Sequence, residues 1–187
     1  MKKILIFAAA ALFAISASAQ GIGRVSIDEL FTLMPDYMEA QRTIAAVSHE
    51  TSTTFQEMVN EFQKKNDLYE KNKGTWTASV REAKEKELAD MQRRLQEFQQ
   101  TAYQELSDRQ NELLAPVREK AIKAVRDIAK SQGLSIVFDV ADLVYYDEEG
   151  TIDLMPEAKA ALGIPEDRTL ETVKAEITEL QAKYGEQ

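Results

Sequence analysis

The chain of 187 residues has no cysteine, which rules out disulfides, thiolate metal sites and a cysteine nucleophile. It has one histidine, His49, and no second histidine or positioned serine shares a motif with it. His49 therefore reads as a helix-surface residue, with no metal or catalytic role. Long apolar runs are missing except at the extreme N-terminus. There Lys2 and Lys3 precede an apolar core, Ile4–Ile15, and a small-residue cleavage signal, Ala17-Ser18-Ala19. That order is a secretory signal peptide over residues 1–19, and the core is too short to span a bilayer comfortably. The mature chain is expected to begin at Gln20, in the periplasm, with no stable membrane insertion.

Positive charge is also in short supply. The formal net charge is −9, with 23 basic and 32 acidic residues. An acidic whole argues against general nucleic-acid binding. The charge is unevenly spread. From Lys64 to Lys86, seven basic residues (Lys64, Lys65, Lys71, Lys73, Arg81, Lys84 and Lys86) meet only Asp67, Glu70, Glu82 and Glu85. From Asp139 onward the balance is strongly acidic. Asp147, Glu148 and Glu149 lack the alternating oxygen ligands of a calcium loop and read as a solvated turn. Gly21-Ile22-Gly23 precedes a strand, so it is no phosphate fingerprint. With no nucleophile, metal or cofactor constellation, the chain does not read as an enzyme.

Glycine and proline are nearly absent from Glu39 to Ser131, where only Gly74 and Pro116 occur. What fills that stretch is Glu, Gln, Lys, Arg and Ala, residues that lose little rotamer freedom in a helix. The turn chemistry of Lys71-Asn72-Lys73-Gly74-Thr75 divides it into a helix over Glu39–Lys73 and a return helix over Trp76–Ser131. A short turn makes these two arms antiparallel neighbours. Asp36 with Glu39 three residues on resembles a capping box for the first arm. Pro116 predicts a bend near Leu114–Val117.

Apolar residues repeat at steps of three and four. In the first arm they are Ala40, Ile44, Val47, Thr51, Phe55, Met58 and Phe62, with Tyr69 beyond polar Lys65. In the second they are Leu88, Met91, Leu95, Phe98, Ala102 and Leu106, then Leu113, Val117, Ala121, Ala124 and Ile128. One apolar side chain per turn is a coiled-coil seam that a single partner helix can cover. The other faces are polar, so the arms should project into solvent. Phe55, Phe62, Phe98 and Tyr103 can fill that seam or face outward. Trp76, beside the turn, can staple the arms or present an anchor to a partner.

Around the arms lies a small body. Gly23–Asp28 alternates and reads as a strand, and Glu29–Leu33 as a brief helical or turn segment. Leu134–Val140 reads as a strand behind a Gly133 helix cap, and Leu143–Tyr146 as a second strand after a tight turn at Ala141-Asp142. Thr151–Leu154 follows as a short segment, then a helix over Pro156–Leu162 closed by Gly163. Thr169–Lys183 carries Leu170, Val173, Ile177 and Leu180, with Tyr184 beyond, and reads as an amphipathic helix. The layout is α+β, with a long helical hairpin (residues 39–131, tip near 71–76) inserted in a small sheet. The body draws on residues 20–38 and 132–165, and the C-terminal helix on 166–187. So small a body is marginal alone, and an oligomer sharing its core is expected.

In order and spacing the chain resembles the Skp (OmpH-like) periplasmic chaperones for outer-membrane proteins. The resemblance rests on GRVSIDEL with Phe31, on polar arms with a Lys/Gly tip, and on LLAPVREKAIKAVRDIAKSQGLSIVFDVADLVYYDEEGTIDL. It implies a homotrimer in which three small sheets form one β-barrel and three hairpins hang around a cavity. It further implies a holdase that uses no nucleotide or cofactor and encloses unfolded outer-membrane β-barrel proteins. On that reading Lys64, Lys65, Lys71, Lys73, Trp76, Arg81, Lys84 and Lys86 are client-binding. Two features depart from the family: the acidic overall charge, and the segment Thr169–Gln187 beyond the usual family end. The competing class is a structural or adaptor coiled-coil protein whose arms bind one specific envelope partner.

Overall fold

The computed structural model describes residues 21–185. The expected signal peptide lies outside the described residues. Strand β1 (Ile22–Val25) leads into helix α1 (Ile27–Leu33) and then α2 (Pro35–Asn72). Helix α3 (Ala78–Ser131) returns and is followed by β2 (Ile136–Asp139), β3 (Ile152–Asp153), α4 (Met155–Ala161) and α5 (Leu170–Gly185). At ~1.5 Å per residue, α2 is roughly 57 Å long and α3 roughly 80 Å.

The first strand is shorter than the alternation predicts, because Ser26 ends it by capping α1. Its Oγ accepts the Glu29 amide at 3.3 Å, and Asp139 Oδ2 takes the Ile27 amide at 3.3 Å. Two of the orphan donors of that first turn are thereby satisfied. Between α1 and α2 the whole corner is one extended residue, fully buried Met34. The first arm thus begins at Pro35, and the capping box expected at Asp36 is not used. Pro35 stands at the first helical position, where its fixed φ suits the helix and its missing N–H costs nothing. Asp36 instead pairs with Lys120 of α3 at 2.5 Å. Pro116 falls within α3, which stays helical past it from Ala78 to Ser131.

Helix α3 closes as expected at Gly133, whose φ is +68°. The Leu134 amide reaches back to the Ala129 carbonyl at 2.9 Å and the Gly133 amide to Lys130 at 3.2 Å, a Schellman closure. Helix α4 ends the same way at Gly163, φ +65°.

The sheet has the order β2-β1-β3 and both pairings are parallel, with Ile22 opposite Ile136 and Gly23 opposite Ile152. This corrects the expected hairpin at Leu143–Tyr146, which forms no strand. Asp139 Oδ1 accepts the Ala141 amide at 3.1 Å and turns the chain into a 3-10 turn at Val140–Asp142. Beyond it, residues 143–147 run without regular structure. β-branched and aromatic residues favour a strand only where a neighbour pairs with them, and none among the described residues does so here.

One face of the sheet carries the core. Val25, Leu30, Leu33, Met34, Met38, Val117, Ala121, Val125, Leu154, Ala158, Ile164 and Val173 form one buried cluster, drawn from every part of the chain except the outer arms. Gly23 allows this approach, since a Cβ there would lie 2.9 Å from a Leu134 methyl and 3.1 Å from methyls of Leu154 and Val137. On the other face Arg24 pairs with Asp153 at 3.3 Å and lies under the Tyr146 ring, which also packs on Phe138 with centroids 5.5 Å apart.

Along the arms, the expected seam residues are the buried or half-buried ones. Ala40, Ile44, Met91, Val117 and Ala121 are buried, and Val47, Phe55, Met58, Phe62, Leu95 and Phe98 are half-buried. Val125, outside the expected seam, is buried in the core cluster while Ala124 is only half-buried. At its base α3 packs on α1 and α4 as well as on α2, so its buried face turns there.

Candidate functional site

The arm tip is built by local hydrogen bonding. The Asn72 carbonyl accepts both the Thr75 amide and the Thr75 hydroxyl at 2.9 Å. Thr77 then caps α3, its Oγ1 accepting the Val80 amide at 3.4 Å. Trp76 is half-buried and its ring lies 6.1 Å from that of Tyr69, tilted by 57°. The Tyr69 hydroxyl donates across to Glu85 on the other arm, which holds the phenol's pKa above its usual value.

Glu87, which the charge reading passed over, organises the cations below the tip. Its carboxylate accepts Lys65 from the first arm and Lys84 at 2.8 Å from its own helix, while Lys65 also lies 3.2 Å from Glu61. The hydrogen bonds from Lys65 and then Lys84 hold the Glu87 carboxyl down to about 2. The same bond to Glu87 raises Lys65. Lys73 pairs with Glu70 at 2.7 Å and its ammonium lies 5.8 Å from the centre of the Tyr69 ring.

The eight expected binding residues therefore fall into two groups. Lys65, Lys73 and Lys84 are paired with carboxylates, and Trp76 packs on Tyr69. Lys64, Lys71, Arg81 and Lys86 are exposed and have no carboxylate within salt-bridge distance among the described residues. Glu61 and Glu87 flank the basic stretch in sequence, and folding brings both onto it. They lower the net positive charge of the tip below what the linear count suggests.

The sign of the Glu87 linkage is fixed by its depressed pKa. Its cross-arm tie is complete above the ordinary carboxylate range, near 4.5, and is lost as pH falls through about 2. The Lys65 side of the same pair is intact below 10.5 and is lost only as pH rises past its elevated value. Between those limits the tie does not vary. Glu87→Gln at neutral pH is expected to speed amide exchange at residues 62–72 and 80–90 while leaving the body unchanged. Exchange mass spectrometry that found the tip as protected as before would remove Glu87 from its construction.

Farther down, the seam opens. Phe55 and Phe98 stack across it with centroids 6.3 Å apart and planes 15° apart. Beside them is a groove of about 230 Å³, bordered by Ser48, Thr51, Ser52 and Tyr103. Tyr103 is 70 % exposed, so this aromatic faces outward and does not fill the seam. His49 lies on the surface of α2, half-buried by α5, with its Nδ1 3.2 Å from the Tyr184 carbonyl.

The largest fully buried side chains are all apolar, and among the described residues no group of three His, Cys, Asp or Glu converges as a metal site. No helix of the described residues is long and apolar enough to cross a membrane.

No curated protein matches the chain. A crystal structure of an OmpH-like protein from Caulobacter crescentus CB15 shares the fold, with a TM-score of 0.66 over 80 % of this chain and 90 % of that one at 14 % identity. Long helices beside a small parallel sheet are common to this chain and that fold. Residues 21–162, from β1 through α4, match the family described as Outer membrane protein (OmpH-like), and to that family this chain belongs.

Proposed function

We propose that this protein is an ATP-independent periplasmic holdase that keeps unfolded outer-membrane β-barrel proteins from aggregating by enclosing them between helical arms. The observation that carries the reading is the build of the arms: two long helices joined by a thin seam and polar on their other faces. An unfolded β-barrel protein exposes alternating apolar residues and unpaired strand edges. Holding it takes broad surface and many weak contacts more than one shaped pocket. Outward Tyr103, Leu68 and Val80, respectively 70 %, 52 % and 40 % exposed, supply scattered apolar contacts. Lys64, Lys71, Arg81 and Lys86 supply unpaired cations near the tip, and Trp76 an aromatic beside them.

The working form is a homotrimer. Parallel sheets are ordinarily covered on both faces, and this one is covered by helices on one. Ile136 on the edge strand β2 is 58 % exposed, and in the segment that follows β2 Tyr145 is 83 % exposed and Val144 fully exposed. Neighbouring copies seated there would cover this apolar surface and pair the strand-prone Leu143–Tyr146.

The test is an aggregation-suppression assay on several unrelated unfolded β-barrel proteins without nucleotide, run beside sedimentation of the mature chain. Suppression of all of them by a trimer is expected. Selective binding of one folded envelope protein, with no suppression, would overturn the reading in favour of a structural adaptor. A stable monomer would overturn the shared body.

A further inference from the structure

Helix α5 lies beyond the residues that match the family, and its main contacts are with α1 and the root of α2. Its attachment is graded along its length. At the base Val173 is 1 % exposed, within the core. Arg168, just before the helix, donates from Nε to the Leu33 carbonyl at 2.8 Å and from both terminal nitrogens to Glu176 at 2.8 and 3.4 Å. Forked pairing of this kind fixes direction as well as position. Farther along, Ile177, Leu180 and Tyr184 lie half-buried beside Ile44 and Ala45 of α2, and Tyr184 meets His49 with ring centroids 5.4 Å apart.

The described helix ends at Gly185, one residue past that contact. From Thr53 outward α3 is the element that runs beside the first arm among the described residues, and the gap in the seam begins near the same level, at Ser48, Thr51 and Ser52. The local sequence, Ser48-His49-Glu50-Thr51-Ser52-Thr53-Thr54, is made mostly of weak helix formers. Thr54 Oγ1 donates to the Glu50 carbonyl at 3.0 Å, a back-bond that weakens and bends helices. Among the described residues the contact with α5 thus ends where the first arm is rich in weak helix formers and its seam is open.

We propose that α5 is a brace that immobilises the root of the first arm and sets its pivot at Ser48–Phe55. Below the pivot α2 moves with the body, and above it the hairpin swings. Without the brace, the root would be held by the corner at Met34-Pro35, by buried Met38 and by the Asp36–Lys120 pair, all at its first turn, and by the seam with α3. The inference concerns motion alone and stands whether or not the arms hold unfolded proteins.

Amide hydrogen exchange on the full mature chain tests it. Peptides within 36–48 are expected to exchange about tenfold or more slowly than those within 52–62. The double variant Leu180→Asp, Tyr184→Ala loosens only the far half of α5 and leaves Val173 and Arg168 in place, so the body still folds. It should speed exchange within 41–50 by about tenfold, with 27–33 and 117–128 unchanged. Equal exchange above and below the pivot in the parent chain, no response at 41–50, or acceleration spread evenly over the molecule would each overturn the brace.

Discussion

Leu154→Ala is expected to destabilise the chain by about 2–5 kcal/mol, the cost of truncating a buried leucine and leaving its cavity. Leu154 is 0 % exposed and joins three parts of the body. Its amide donates to the Arg24 carbonyl at 3.0 Å, extending the sheet past β3. Its own carbonyl accepts the first hydrogen bond of α4, from Ala158 at 2.9 Å. Its side chain fills the space that Gly23 leaves open. The core that absorbs this loss is small, and whole domains are stable by only about 5–15 kcal/mol. The midpoint of urea denaturation should fall sharply, measured at one fixed chain concentration because association adds to apparent stability. An unchanged midpoint would show that the buried cluster is not what holds the body together.

The second large effect concerns the tip and rests on the chaperone reading. Reversing Lys64, Lys71, Arg81 and Lys86 to Glu removes the unpaired cations and leaves the Lys65–Glu87–Lys84 tie intact. Capture of unfolded β-barrel proteins should weaken by roughly tenfold at low salt, mostly through slower association. At about 1 M salt, where the screening length is about 3 Å, the variant and the parent should converge. Reversing Lys65 and Lys84 would instead set like charges beside Glu87 and disturb the tip itself. Equal affinity of the four-residue variant and the parent at both salts would take the tip out of the mechanism.

The arms were legible in sequence because a helical seam is a local property: each turn reports its own apolar residue. The glycine closures at Gly133 and Gly163 were legible for the same reason, since a left-handed residue after a helix is set by its immediate neighbours. What sequence misplaced depended on partners far along the chain. Leu143–Tyr146 has the composition of a strand, but β1 already has β2 and β3 on its two sides. The tip count stopped at Lys86, one residue short of the carboxylate that binds two of its lysines. That Glu87 meets Lys65 follows from the register of two helices, which no window along one of them contains. The Ser26-x-x-Glu29 spacing that ends β1 early was present in the sequence and was passed over for the alternation around it.

The strand order carries a consequence for the order of events in folding. β1 is the middle strand, yet it comes first in the chain, and both of its neighbours follow the entire hairpin. Its hydrogen-bonding edges stay unpaired until residues 136–153 arrive. A flexible loop of that length would make closure slow. The arms shorten the search, because two zipped helices deliver the end of α3 back to the start of α2. The arms are therefore expected to act as a folding template for the body from which they project. Variants that weaken the seam near Met58 and Met91 should delay assembly of a sheet they never touch.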